Sequence, residues 1–197
     1  MDVGVMGSGT RANTAVPVRV VTATAEHGAD WALRAAVAAD VEVIAELRAV
    51  VMRPDLERLG RYDEHRVRQR LRDAFSPRHT SVVVIGREIA GCVAVRPAED
   101  RLWLEHFYLA PHHQGRGLGS AVLGAVLERT DAQGMTVGLN VLRGSAARRL
   151  YERHGFVVET QDPVDVFMTR PPGSVPSPPH TSPTSDGRHP QASSTLS

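Results

Sequence analysis

Residues 107–120 read Phe-Tyr-Leu-Ala-Pro-His-His-Gln-Gly-Arg-Gly-Leu-Gly-Ser, a spacing suited to holding an anion through the main chain. Gly115, Gly117 and Gly119 allow positive φ and close backbone approach to a ligand with no Cβ in the way. A helix with apolar period over Ser120–Arg129 follows directly. At its N-terminus, unpaired N–H groups and aligned peptide dipoles favour negative charge. Arg116 adds a guanidinium suited to phosphate oxygens. Upstream, Leu102–Leu109 is an apolar strand run that Pro111 stops. Strand, glycine turn and helix together describe a phosphate cradle.

Two common cradles are excluded by what stands in the loop. A P-loop ends in Gly-Lys-Ser/Thr, and the chain has no lysine. A dinucleotide fingerprint starting at Gly115 requires glycine at position 120, where Ser120 stands. The remaining pattern is Gln114-x-x-Gly117-x-Gly119. A second informative segment, residues 136–156, holds a β-rich run, Thr136–Leu142, then a turn and a short helix. Ser145 suits its N-cap and Gly155 its C-terminal stop. Tyr151 lies on that helix, and taken alone it reads as a core tyrosine with a satisfied hydroxyl.

Taken together and in this order, the two segments resemble the GNAT acetyltransferase superfamily. Gln114-x-x-Gly117-x-Gly119 resembles its acetyl-CoA pyrophosphate loop. Ala147-x-x-Leu150-Tyr151-x-x-x-Gly155-Phe156 resembles its C-terminal signature. The resemblance implies acetyl-CoA as cosubstrate, its pyrophosphate held by Gln114, Gly115, Arg116, Gly117, Leu118, Gly119 and Ser120. It implies that the backbone of Phe107, Tyr108 and Leu109 pairs with the pantetheine arm, where the family splays its fourth and fifth strands. N–H groups near Leu109 would meet the oxyanion. Tyr151 would protonate the leaving thiolate. Relatives usually carry an asparagine seven residues before that tyrosine; here Gly144 stands there, leaving Asn140 or Ser145 as substitutes for the cofactor contact.

Attack on a thioester needs a neutral amine, and a lysine-like amine has a pKa near ~10.4, so a base is useful. Glu105 is the carboxylate on the strand leading to the cradle. Strand alternation groups it with Trp103 and Phe107, and sends Leu102, Leu104 and His106 to the opposite face. The function expected is an acetyl-CoA-dependent N-acetyltransferase acting on a primary amine of a small molecule or peptide, by direct attack in a ternary complex. The alternative is a non-catalytic acyl-CoA sensor on the same fold. Residues Met52–Tyr62 read as a charged connection near the acceptor, with Asp55, Glu57 and Asp63 offset by Arg53, Arg58 and Arg61.

All 23 basic residues are arginine and the net charge is +1. Because these arginines are scattered, a nucleic-acid partner is not expected. Nor is a membrane partner, since no apolar run nears ~20 residues. The single cysteine, Cys92, sits in an apolar run and reads as a buried, inert thiol, compatible with a cytoplasmic location. His112 and His113 adjoin in a turn and are expected to point different ways, so no metal is expected.

The elements that carry these residues are expected in one domain over 30–170, between a flexible leader at 1–29 and a Pro/Ser-rich disordered tail at 171–197. Trp31–Ala36 suits a first strand. Asp40 can cap a helix striped by Val41, Ile44, Ala45, Leu47 and Val51, which Pro54 interrupts. A second helix covers Asp63–Ala74. Ser81–Arg87 and Ile89–Arg96 form a hairpin, and Phe156–Thr160 and Val164–Thr169 close the chain. This order implies the α/β acyl-CoA N-acyltransferase (GNAT) fold: a mixed, mostly antiparallel sheet of about seven strands flanked by four helices. Spare sheet edges permit a homodimer.

Overall fold

The computed structural model describes residues 21–24 and 30–173. The expected tail beyond 173 and most of the expected leader lie outside the described residues. The elements run β1 (Val21–Thr24), β2 (Asp30–Ala35), α1 (Val41–Arg58), α2 (Glu64–Ala74), β3 (Thr80–Ile85), β4 (Glu88–Pro97) and β5 (Leu102–Leu109). Then come α3 (Leu118–Asp131), β6 (Val137–Leu142), α4 (Ala147–Arg153), β7 (Val157–Gln161) and β8 (Asp165–Arg170). One sheet holds all eight strands in the order β1-β2-β3-β4-β5-β6-β8-β7. From Asp30 onward it has the seven strands expected. β1 is an eighth, paired antiparallel along β2 within the segment read as a leader.

Every neighbouring pair is antiparallel except β5 and β6. A parallel neighbour needs a crossover, and α3 supplies it. The sheet is buried on both faces by separate apolar clusters. On one face Val122, Leu123 and Val126 of α3 and Tyr151 of α4 pack against Leu33, Leu104, Leu139 and Met168. On the other, Ile44 and Ala45 of α1 and Leu71 of α2 pack against Val82, Cys92 and Tyr108.

Several local expectations are corrected. Pro54 lies inside α1 rather than interrupting it. The carbonyl it deprives of a donor belongs to Val50, which is exposed, so water can serve it. The segment read as a charged connection is therefore mostly the last turns of α1. There Arg53 pairs with Glu57, and Arg58 with Asp55. Asp40 does not cap α1. A short 3-10 turn, Ala38–Asp40, precedes that helix, and the Asp40 carboxylate instead accepts from the Val37 N–H and from both Nη atoms of Arg34. Asp63 does cap α2, accepting from the Arg66 N–H at 2.7 Å. Helix α3 begins at Leu118, two residues before Ser120, because Gly117 at φ +81° already turns the chain into it. Ser145 Oγ accepts from the Ala147 N–H at 3.4 Å, one step outside the N-cap position that Ala146 takes.

The largest correction is in β5. Ala94 stands opposite Glu105 and Cys92 opposite Tyr108, so His106 and Phe107 together face one residue of β4. This is a β-bulge. His106 takes φ +53°, the one non-glycine positive φ among the described residues. Simple alternation fails there. Phe107 packs with Leu104 and Leu109 on the α3–α4 face instead of sharing a face with Glu105. Cys92 Sγ–H donates to the His106 carbonyl at 3.1 Å, so the buried thiol helps hold the bulge. Burial pushes that thiol up to about 12, leaving it protonated.

Among the described residues no helix is long and apolar enough to cross a membrane. Gly91 of β4 sets the spacing to β5: a Cβ there would lie 2.5 Å from Leu109 Cδ2 and 2.5 Å from the Tyr108 carbonyl oxygen. Gly91→Ala should therefore cost about 1–3 kcal/mol in urea unfolding. Gly124→Ala, in α3 with nothing within 4 Å of the new methyl, should gain up to about 1 kcal/mol. Equal effects would contradict this account of the β4–β5 contact.

Candidate active site

β5 and β6 pair at two positions, Leu102 with Val137 and Trp103 with Gly138, and then part. The gap opens beside the bulge, and a cleft of about 290 Å³ occupies it. α1 forms one wall through Arg48, Val51, Met52 and Asp55. β5 gives Glu105–Tyr108, β6 gives Asn140–Leu142, and α4 gives Tyr151. The parting leaves main-chain groups of β5 without a strand partner. The Ala110 N–H donates to the Ala90 carbonyl at 2.8 Å, toward β4. Because N–H groups alternate along a strand, that of Leu109 faces the gap. The Leu109 carbonyl accepts from the Gln114 side-chain amide at 2.7 Å, which ties the strand end to the glycine loop.

The loop takes positive φ at two of its three glycines, the third, Gly119, lying inside α3. Gly115 and Gly117 sit at φ +73° and +81°. The Ala121 N–H makes the first backbone bond of α3, to the Gly117 carbonyl. The N–H groups of Leu118, Gly119 and Ser120 thus have no partner within the helix and are available to an anion. Leu118 is buried and anchors the turn, while the Arg116 side chain is exposed. A Cβ on Gly119 would meet Leu150 at 3.4 Å and Leu109 at 3.5 Å, so α3, α4 and the end of β5 converge there.

A protein-family model described as an acetyltransferase (GNAT) domain matches residues 77–158. Over those residues the chain resembles a GNAT acetyltransferase domain, and β5, the glycine loop and α4 all lie inside the match. Solved structures share the fold at low identity. The PaiA N-acetyltransferase of Thermoplasma acidophilum, in complex with coenzyme A, is 18% identical over 72% of this chain and 98% of that one, with TM-score 0.60. The ribosomal-protein-S18-alanine N-acetyltransferase of Escherichia coli is 18% identical over 75% and 97%, with TM-score 0.58. An N-acetyltransferase from Staphylococcus aureus Mu50 is 18% identical over 70% and 98%, with TM-score 0.56.

Glu105 and Tyr151 line the same cleft although they stand 46 positions apart, one on β5 and the other on α4. Glu105 is partly exposed and has Arg96 at 3.3 Å. Tyr151 is buried, and among the described residues none hydrogen-bonds its hydroxyl. Burial raises its pKa well above the ordinary tyrosine value, so it keeps its proton at neutral pH. Asn140 also lines the cleft, but its amide donates to Asp165 Oδ1 at 2.9 Å. Gly144, where relatives carry asparagine, is at φ +81°, and a Cβ there would lie 2.9 Å from the Arg58 guanidinium.

Sequence reasoning missed a polar chain beneath this cleft. Arg48 Nη1 donates to the Tyr108 hydroxyl, which lies 3.3 Å from His106 Nδ1. The Arg48 guanidinium also sits 5.7 Å from the Tyr108 ring centre, within cation–π range. Arg48 follows Ile44 by four residues, so a charge on the buried stripe was a readable signal. His106 gave none, because a bulge is not written in strand periodicity. Burial holds the His106 imidazole below its ordinary 6.5; Glu105 opposes this, while Arg48 and Arg96 add to it. The folded state then binds fewer protons than the unfolded one below that ordinary value, so stability is lost as pH falls through the folded-state pKa. Stability measured by urea unfolding should decline more steeply from about pH 7 to pH 5 in the wild type than in His106→Gln. Parallel pH profiles would contradict this.

Proposed function

We propose that the chain transfers an acetyl group from acetyl-CoA to a primary amine of a small molecule or peptide, in one ternary complex. The observation that carries this reading is the placement of Glu105 and the unpartnered Tyr151 hydroxyl in one cleft, at the mouth of the gap between β5 and β6. The glycine loop lies at the outer end of that gap. Its free N–H groups at 118–120 and the Arg116 guanidinium would take the pyrophosphate, and the open edge of Phe107–Leu109 would pair with the pantetheine amides.

The chemistry then divides among named groups. The amine nitrogen attacks the thioester carbonyl carbon, and its proton leaves to Glu105, directly or through one water. The Leu109 N–H points at the gap and would donate to the oxyanion, a contribution of about 3–4 kcal/mol for such a donor. The C–S bond breaks as the intermediate collapses. Tyr151 holds its proton tightly, so its first contribution is a hydrogen bond to the departing thiolate. Asp55, Glu105 and Asp165 on the cleft walls favour a cationic acceptor.

Tyr151→Phe and Glu105→Gln should each lower kcat by roughly 10²-fold or more while leaving acetyl-CoA affinity within about threefold of wild type. Thiol release with an amine panel and calorimetric titration of acetyl-CoA read the two quantities separately. A wild-type protein that binds acetyl-CoA yet releases no thiol with any amine would mark an acyl-CoA sensor instead.

A further inference from the structure

His112 and His113 do not point different ways. Their ring centres are 4.1 Å apart, and both Nε2 atoms turn to one carboxylate, that of Glu88. His112 Nε2 is 3.1 Å from Glu88 Oε1, and His113 Nε2 is 3.9 Å from Glu88 Oε2. One ligand atom from each of the three residues lies within 4.8 Å of the other two. The two histidines occupy a 3-10 turn, Pro111–His113, and both side chains reach the Glu88 carboxylate at the start of β4.

We propose that Glu88, His112 and His113 bind one divalent transition-metal ion. Two imidazole nitrogens and a carboxylate oxygen form a donor set suited to zinc, nickel or copper, and poor for calcium or magnesium. Zinc bonds of about 2.0–2.1 Å at tetrahedral angles place donor atoms roughly 3.3 Å apart; the His112–Glu88 pair is already near this at 3.1 Å, and the His113–Glu88 pair is longer at 3.9 Å. A side-chain rotation would bring the longer one in. His113 Nε2 supplies a second sign: the atom itself is buried and has no hydrogen-bond partner among the described residues, a state that costs free energy unless something binds there. A fourth position is left for water.

The site is distinct from the cleft and needs neither acetyl-CoA nor turnover. It clips the first residue of β4 to the turn leading into Gln114, beside the Ala110–Ala90 backbone bond. Its formation therefore stands or falls independently of the acetyl-transfer reading.

The test uses the full chain without a histidine tag, stripped of metal and titrated calorimetrically with Zn2+, with a parallel melting measurement. The expected result is one ion per chain at micromolar or tighter Kd and a raised Tm that EDTA reverses. Glu88→Gln and His112→Gln, both at exposed positions, should weaken Zn2+ binding by more than about tenfold and leave the metal-free Tm unchanged. His113→Gln should do the same to affinity. No heat of binding at about 0.1 mM Zn2+, or binding that survives all three substitutions, would overturn the proposal.

Discussion

β5 cannot follow two partners at once, and the site follows from how that conflict is resolved. It runs antiparallel along β4 and begins a parallel ladder with β6, but the ladder stops after Trp103 and Gly138. A bulge at His106 bends β5 away, with a main-chain conformation that a non-glycine residue adopts at a cost. Neighbouring groups over-determine that conformation: the Cys92 thiol bonds the His106 carbonyl, and the Tyr108 hydroxyl lies beside its ring. The parting frees strand-edge groups in the middle of a buried sheet. Such groups are costly when left dry and unpaired, so they are suited to an extended amide-bearing ligand.

The layers on either side give the gap two unlike walls. From the α1 side come Arg48 and Asp55, polar groups on an otherwise apolar helix face. From the α4 side comes Tyr151, held edge-on against Phe156 with ring centres 5.8 Å apart. α4 is only Ala147–Arg153, so its position depends on what surrounds it. The Arg170 guanidinium bonds the His154 carbonyl just past its end and pairs with Asp131 of α3, a contact 15% and 19% exposed on its two sides. Removing one partner of so sheltered a pair leaves the other uncompensated, so this link steadies both helices that frame the cleft.

The element order was legible because it rests on periodicity and on turn residues. Gly117 and Gly155 mark turns at positive φ where the sequence implied them. The glycine loop was legible in detail, since main-chain chemistry depends on where side chains are absent. What could not be read depends on contacts between distant segments. The bulge is a register mismatch between β4 and β5. Phe107 changes face because of it, and Arg48 gains a role only when α1 meets Tyr108. The turning of His112 and His113 toward Glu88 is of the same kind, joining residues 24 positions apart. Pro54 misled because proline's cost depends on whether the freed carbonyl meets water.

The central claim is that the parted edge of β5 and the glycine loop form one continuous acetyl-CoA site. Amide NMR of 15N-labelled protein during an acetyl-CoA titration tests it most directly. The account predicts saturable shifts at Phe107 and Leu109 together with Gly115–Ser120, all following one binding curve. Absence of shifts at millimolar acetyl-CoA, or shifts confined to the loop with Leu109 unmoved, would contradict it.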